Sequence, residues 1–428
     1  MQIDCWEQLP FLLFADPKGN IYEHPELRMA GFWALEPAPL GPEDLIPMPE
    51  FSKLFYLPGC PPIGLDPKSG EMVELREVEI EGEEVACFAV SAFLEPGYVR
   101  THLPAANYGG KGRILPTWAY GAVGFKDEQY WVAGFQIEYN PRWDPRNYDD
   151  RELVEAMEVY PYSGPLVEHL SRCAVDHHCF AAKNLFLVRW EAPLPVSRTC
   201  NASCLGCLSL QPDSLCMPSH HLIEFTPSVD EIVTISTHHL KSAQRAIVSF
   251  GQGCEGEPLT QWRLIKRAIE EIRARTLRGT INLNTNGSMP QRVVEIAKAG
   301  LDSIRISLNS AREEFYHAYY RPKGYGFRDV VESVKRSRET GLYTMINYLV
   351  FPGVTDREAE IEALLGLVKE TGVNFIHFKN LNIDPMLYLD QMPPDDSPML
   401  GLRGAVELLR QEAPHVELGY FNQPVANN

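Results

Sequence analysis

The chain of 428 residues has no cysteine after Cys254, no uninterrupted apolar run near bilayer-spanning length, and a shortage of basic side chains. Each absence excludes a class. Lys and Arg total 39 against 57 Asp and Glu, a formal net charge of -18. Sequence-independent binding of nucleic acid needs clustered Lys and Arg, so no DNA partner is expected and RNA is disfavoured as a substrate. A membrane helix needs about 20 consecutive apolar residues, so no membrane association is expected. The opening segment MQIDCWEQLPFLLF has no basic stretch ahead of a long apolar core, unlike a secretory signal. A cytoplasmic location is the expectation. In that reducing compartment the ten cysteines are expected to be free or metal-bound.

Long helical patterns are also missing before residue 180. Prolines recur there, as in Glu36-Pro37-Ala38-Pro39, and each removes a helical N–H. Residues 77–80 and 85–90 flank Glu81-Gly82-Glu83-Glu84 and read as a β-hairpin. Segments 53–57, 119–125 and 130–139 are further strand candidates, and 150–160 reads as one helix. Residues 1–180 are thus expected to form a β-rich N-terminal accessory domain of unknown role.

Beyond residue 180 the chain alternates strands and helices. Strands are predicted at 185–190, 246–250, 280–283, 303–307, 343–350 and 374–378. Helices are predicted at 228–242, 259–275, 291–299, 327–340 and 356–371. Pro227 supplies a start signal, and Gly300, Gly341 and Gly372 supply stops. Six strands separated by helix-length segments imply a parallel α/β array with right-handed crossovers. A complete eightfold barrel takes about 250 residues. Residues 181–395 are too few, so the expected core is a partial (β/α)6 TIM-like barrel. Residues 396–428 form an extension with a helix at 400–410 and a strand at 416–421 of unassigned membership.

The chemistry concentrates at Cys200-Asn-Ala-Ser-Cys204-Leu-Gly-Cys207, after the first predicted strand. Three thiolates at this spacing can wrap one loop around an iron–sulfur cubane and ligate three of its four irons, leaving the fourth open. An open metal position separates a reacting site from a structural one. Two alternatives stand beside this reading. Cys216, His220 or His221 would complete a zinc site that stabilises a binding module, and a fourth thiolate would close the cluster of an electron-transfer protein.

A C-x3-C-x2-C loop after the first strand of a partial β/α barrel resembles the radical S-adenosylmethionine (radical SAM) superfamily. The resemblance implies an enzyme whose [4Fe–4S] cluster is bound by Cys200, Cys204 and Cys207. Its open iron would hold S-adenosylmethionine, cleaved reductively to a 5′-deoxyadenosyl radical that abstracts hydrogen from substrate. Flavodoxin or ferredoxin would be the electron donor, and the substrate a small molecule, peptide or protein. One departure is Gly206, where many members place an aromatic residue.

Later motifs fit the same resemblance in order. Phe250-Gly-Gln-Gly-Cys-Glu-Gly-Glu-Pro258 is similar to the family's Gly-Gly-Glu-Pro segment, with Glu255 in the first Gly place. It implies that Glu255, Gly256 and Glu257 face the methionine ammonium. Asn284-Thr-Asn286-Gly287 is similar to a Thr-Asn-Gly turn, implying cofactor contacts from Asn284 and Asn286. Ser307 and Asn309 fall on one face by strand alternation and stand where the family contacts ribose or carboxylate. Arg321 stands where several members keep an Arg for the carboxylate. Phe351-Pro352-Gly353 would give adenine an apolar shelf. Asn380, Asn382 and Asp384 follow the sixth strand and either contact substrate or end the strand. Missing cysteines beyond Cys254 argue against a C-terminal auxiliary-cluster domain. Cys173, His177, His178 and Cys179 read as packing residues, with a second metal site as the open alternative. Cys216 and Cys254 are open as catalytic thiols.

Overall fold

The computed structural model describes residues 6–109, 114–211 and 218–425. Cys216 lies outside the described residues. The chain divides into two compact units. One comprises Met1–Tyr139, Leu349–Glu362 and Phe378–Glu412; the other comprises Asn140–Tyr348, Ala363–His377 and Ala413–Asn428.

The first unit is β-rich. Its core gathers Leu13, Ala15, Val90, Ala92, Leu94, Val123 and Val132, contributed mainly by strands Phe11–Ala15, Phe88–Phe93, Val123–Lys126 and Gln129–Gln136. The expected hairpin is present as Glu77–Ile80 and Glu83–Ala86, paired antiparallel with Glu83 opposite Ile80. Glu81 and Gly82 have φ of 53° and 86°, the left-handed pair that a two-residue hairpin turn demands. Within this unit the residues after the sixth barrel strand are structural. Asn380 accepts the Arg100 N–H at 3.1 Å and donates to the Tyr98 carbonyl at 2.9 Å. Asp384 accepts from Leu115 N–H at 2.7 Å while capping helix Pro385–Leu389. Phe351 is fully buried against Tyr388, with ring centroids 4.6 Å apart.

The second unit carries the parallel sheet. Strands Glu191–Leu194, Ile247–Phe250, Thr280–Thr285, Ser303–Leu308, Tyr343–Val350, Phe375–Asn380 and Glu417–Gly419 lie side by side in chain order. The first five pair parallel in succession, and the sixth pairs parallel with the seventh. The expected α/β partial barrel is therefore present, and the C-terminal strand joins it. Its helices bury one stripe each. In Val229–Ser242 the stripe is Ile232, Val233, Ile235, Ser236, His239 and Leu240, and in Trp262–Arg275 it is Ile265, Ala268, Ile269 and Ile272. Ser228 opens the former with a reciprocal cap: its hydroxyl accepts from Glu231 N–H, and the Glu231 carboxylate accepts from Ser228 N–H.

Two elements differ from expectation. Residues 185–190 are not the first strand: Phe180–Phe186 is helical and the strand is Glu191–Leu194. Ala182, Leu185 and Phe186 are buried at helical spacing, and Val188 and Trp190 turn the chain with φ of 52° and 40°. A short apolar run has no periodicity that separates these outcomes. Helix Glu313–Tyr320, absent from the predicted array, buries Phe315, Tyr316, Tyr319 and Tyr320. The helices Asp150–Glu158 and Pro165–Val175 also cluster with the barrel unit, although their residues precede position 180.

The barrel interior is polar towards its first strands. Glu191 accepts from Ser249 Oγ and Asn422 Nδ2, Asn282 donates to Ser249, and Ser303 donates to Asn282. Arg305 reaches Asn422 Oδ1 at 3.1 Å. The members of this buried polar chain largely satisfy one another, although Arg305 Nε is buried without a hydrogen-bond partner among the described residues.

Candidate functional site

The cysteine loop follows the first strand and is held by backbone. Ser203 and Leu205 N–H groups donate to the Tyr320 and Tyr319 carbonyls at 3.0 Å, and Lys323 N–H donates to the Asn201 carbonyl at 2.8 Å. Helix Glu313–Tyr320 thus braces the loop, and Arg321 ends that helix in the left-handed region at φ 47°. The loop opens on a cavity of about 440 Å³ lined by Cys200, Cys204, Cys207, Arg198, Arg321 and Lys323, among others.

Burial and neighbouring thiols oppose the ionisation of Cys200 and Cys204. Burial pushes Cys200 up to about 11, with Glu257 and Cys207 adding to it. Burial also raises Cys204 well above the usual thiol range, and Cys207 and Cys200 add to it. Three thiolates are stable together here only beside compensating positive charge, the condition a bound metal cluster satisfies. Cys207 Sγ accepts the Leu210 N–H at 3.2 Å, the type of donor that steadies a ligating sulfur. Three soft donors around one cavity fit three irons of a cubane, and among the described residues no fourth cysteine lines that cavity.

The loop after the second strand is built around two buried carboxylates. Glu255 accepts four backbone N–H groups, from Val196 and Ser197 at 2.7 and 3.0 Å and from Gly251 and Gln252 at 2.7 and 2.9 Å. A carboxylate offers about four lone-pair sites, so this one is saturated by the chain. Burial pushes its carboxyl up to about 8 against the pull of those donors. Glu257 accepts from Leu259 N–H, Thr285 Oγ1 and Asn286 N–H at 2.9, 2.5 and 2.8 Å. Burial raises it to about 7. Both carboxylates therefore hold motif to motif. Gly256 is required on steric grounds, since a Cβ there would stand 2.1 Å from the Thr199 carbonyl oxygen.

The turn after the third strand joins the same scaffold. Asn284 donates to the Gly251 carbonyl at 2.8 Å, and Asn286 donates to Asn201 Oδ1 at 2.8 Å. Asn201 in turn donates to Ser288 Oγ at 2.9 Å. This amide pair ties the cysteine loop to the Asn-Thr-Asn-Gly turn. Losing it by Asn286→Ala is expected to cost about 1–2 kcal/mol of stability. A double-mutant cycle with Asn201→Ala, followed by urea denaturation, checks this: strictly additive losses would refute the coupling.

On the fourth strand Ser307 accepts from Asn347 Nδ2 at 3.4 Å, and Asn309 donates to the Phe315 carbonyl at 3.1 Å. Asn309 Oδ1 and Asn347 Oδ1 are buried without a hydrogen-bond partner among the described residues. Such acceptors suit a polar ligand, because an unpaired buried acceptor is costly. Sequence reasoning missed the aromatic wall of this site. Tyr316 and Tyr320 stack at 4.5 Å, Tyr316 Oη donates to Tyr325 Oη at 3.1 Å, and both Tyr316 and Tyr320 feel Cys204 electrostatically. The recurrence of Phe315, Tyr316, Tyr319 and Tyr320 at helical spacing was the available signal. These rings stand near the cysteine loop that carries Gly206.

A partial parallel β/α barrel that gathers thiols, buried carboxylates and amides at its strand C-terminal ends is the architecture of a cofactor-using barrel enzyme. Residues 194–365 match the family model described as the Radical SAM superfamily. Residues 194–365 therefore resemble that superfamily, whose proteins use a [4Fe–4S] cluster and S-adenosylmethionine. It is similar to the GTP 3′,8-cyclase of Petrotoga mobilis, 28% identical over 185 residues, which cover 43% of this chain and 54% of that one. It is also similar to molybdenum cofactor biosynthesis protein 1 of Bos taurus, 28% identical over 59% of this chain and 38% of the other. The chain spans about half the length of the curated relatives it matches. Among solved structures, SuiB of Streptococcus suis bound to its precursor peptide aligns with a TM-score of 0.39 and 15% identity, over 63% of this chain and 59% of that one. No helix among the described residues is long and apolar enough to cross a membrane.

Proposed function

We propose that this chain is a radical SAM enzyme in which Cys200, Cys204 and Cys207 hold one [4Fe–4S] cluster with an open iron. When bound and reduced, the cluster supplies the electron that cleaves S-adenosylmethionine to methionine and a 5′-deoxyadenosyl radical, which takes a hydrogen atom from substrate. The observation that carries the reading is the set of three thiols on one cavity, with no fourth cysteine lining it among the described residues.

The chain's own residues bind and orient. Gly256 lets the backbone approach closely at the second strand end, and Arg321 presents a guanidinium to the cofactor carboxylate at the cavity wall. Glu257 keeps one lone-pair site beyond its three chain donors for the methionine ammonium, and Asn309 and Ser307 serve the ribose or carboxylate. Glu255, Asn284 and Asn286 act as positioning residues, because their polar atoms are engaged by the chain. Flavodoxin or ferredoxin supplies the electron. A small molecule or a peptide is the favoured substrate, and the charge of -18 disfavours RNA. The cytoplasm, which keeps thiols reduced, suits these cysteines.

Anaerobic reconstitution tests the proposal. A brown protein is expected, with about four irons per chain. Its electron paramagnetic resonance spectrum changes on adding S-adenosylmethionine, and 5′-deoxyadenosine forms under reduction. A colourless protein holding only zinc after reconstitution overturns it.

A further inference from the structure

A second group of soft ligands lies in the barrel unit, away from the residues of the cysteine loop. His169 and Cys173 are one turn apart on helix Pro165–Val175, so both side chains leave the same face. The loop after the second strand delivers Cys254 to them. His169 Nε2, Cys173 Sγ and Cys254 Sγ are buried, and their ligand atoms all lie within 4.8 Å of one another. His169 Nε2 is 3.7 Å from Cys173 Sγ. His177 is close enough to act electrostatically on Cys173, and its Nε2 is buried without a hydrogen-bond partner among the described residues. The His177 ring stacks on His220, with centroids 5.6 Å apart.

This arrangement is poor as simple packing. Buried imidazole nitrogens and thiols gain little from apolar surroundings, and an unpartnered buried nitrogen is unfavourable. Two thiols and an imidazole that converge, with a second imidazole close by, are soft donors that suit zinc over hard cations such as magnesium or calcium.

We propose that His169, Cys173 and Cys254, with His177 as fourth ligand, form a structural zinc site distinct from the catalytic cluster. Binding releases the two thiol protons to solvent and changes no oxidation state. The metal ties helix Pro165–Val175 to the loop that also carries Glu255, Gly256 and Glu257. That loop is also held by the carboxylate bonds already described and by bonds from Ile223 N–H to the Cys254 carbonyl at 2.8 Å, Gly256 N–H to the Ser197 carbonyl at 2.8 Å and Glu257 N–H to the Thr199 carbonyl at 2.9 Å. His178 is exposed, and Cys179, whose N–H donates to the Cys173 carbonyl at 3.1 Å, lies outside the group whose ligand atoms converge.

The site stands independently of the radical SAM reading, and the test keeps them apart. The full chain bearing Cys200→Ala, Cys204→Ala and Cys207→Ala cannot load zinc on the cluster loop. Elemental analysis of that protein is expected to find one zinc per chain. Adding Cys173→Ser or Cys254→Ser is expected to remove it, with circular dichroism confirming that the fold persists. Cobalt(II) added to the zinc-stripped triple variant is expected to give a thiolate charge-transfer band with tetrahedral d–d intensity. An absence of zinc and of cobalt binding in the triple variant overturns the proposal. So does zinc retained after the Cys173 and Cys254 changes, iron in place of zinc, or a thiol count showing the two cysteines joined as a disulfide.

Discussion

The Cys204→Ala variant is expected to fold, to lose its bound iron after reconstitution, and to form no detectable 5′-deoxyadenosine. Burial, with Cys207 and Cys200 adding to it, raises the Cys204 thiol well above the usual range. The loop around it is set by main-chain bonds, Ser203 and Leu205 N–H to the Tyr320 and Tyr319 carbonyls, which alanine at position 204 leaves in place. The substitution therefore removes a ligand without removing the loop. Two remaining thiolates cannot hold three irons, so the effect is a loss of cofactor and not a graded change in rate. Iron and sulfide analysis with far-ultraviolet circular dichroism checks it. A variant that keeps a full iron load would move the cluster to other cysteines.

Glu255→Gln is expected to be the most destabilising conservative change at the site. Its carboxylate accepts four backbone N–H groups from two chain segments. An amide of the same shape presents an NH2 where one carboxylate oxygen stood, so two buried donors lose their acceptor and meet another donor. Each such loss costs about 1–3 kcal/mol, so the pair costs about 3–6 kcal/mol once the repulsion is added. Denaturant unfolding of the cluster-free protein measures this directly. If Glu255 served the methionine ammonium instead, stability would change little and only cofactor affinity would fall. The same experiment on Glu257→Gln is expected to show a smaller stability loss, because Glu257 holds two backbone N–H groups and one hydroxyl.

The legible parts of this protein are those whose information is local in the chain. Alternating strands and helices from Ile247 onward follow from apolar runs punctuated by Gly and Pro, and Tyr343–Val350 has the bounds expected of it. The segment 185–190 fails for the converse reason, since a six-residue apolar run packs equally well as a helix face. The aromatic helix Glu313–Tyr320 was hidden because its buried stripe spans barely two turns and its aromatic residues have only modest helix propensity. Asn380 and Asp384 illustrate a choice that pattern leaves open: both end as structural ties to Arg100 and Leu115.

By itself, then, the sequence determined the array of β/α units and the three-thiol loop, because a metal-binding spacing and a hydrophobic period are both short-range properties. Only the tertiary structure decided what the remaining polar residues do. Glu255, expected to face the cofactor ammonium, accepts backbone N–H groups from Val196, Ser197, Gly251 and Gln252, which only the fold brings to it. Cys173, read from the sequence as a packing residue with a metal site as the alternative, is brought within 4.8 Å of Cys254 only by the fold. Whether a buried polar atom is satisfied by the chain or left for a ligand depends on partners distant in sequence, and folding alone chooses those partners.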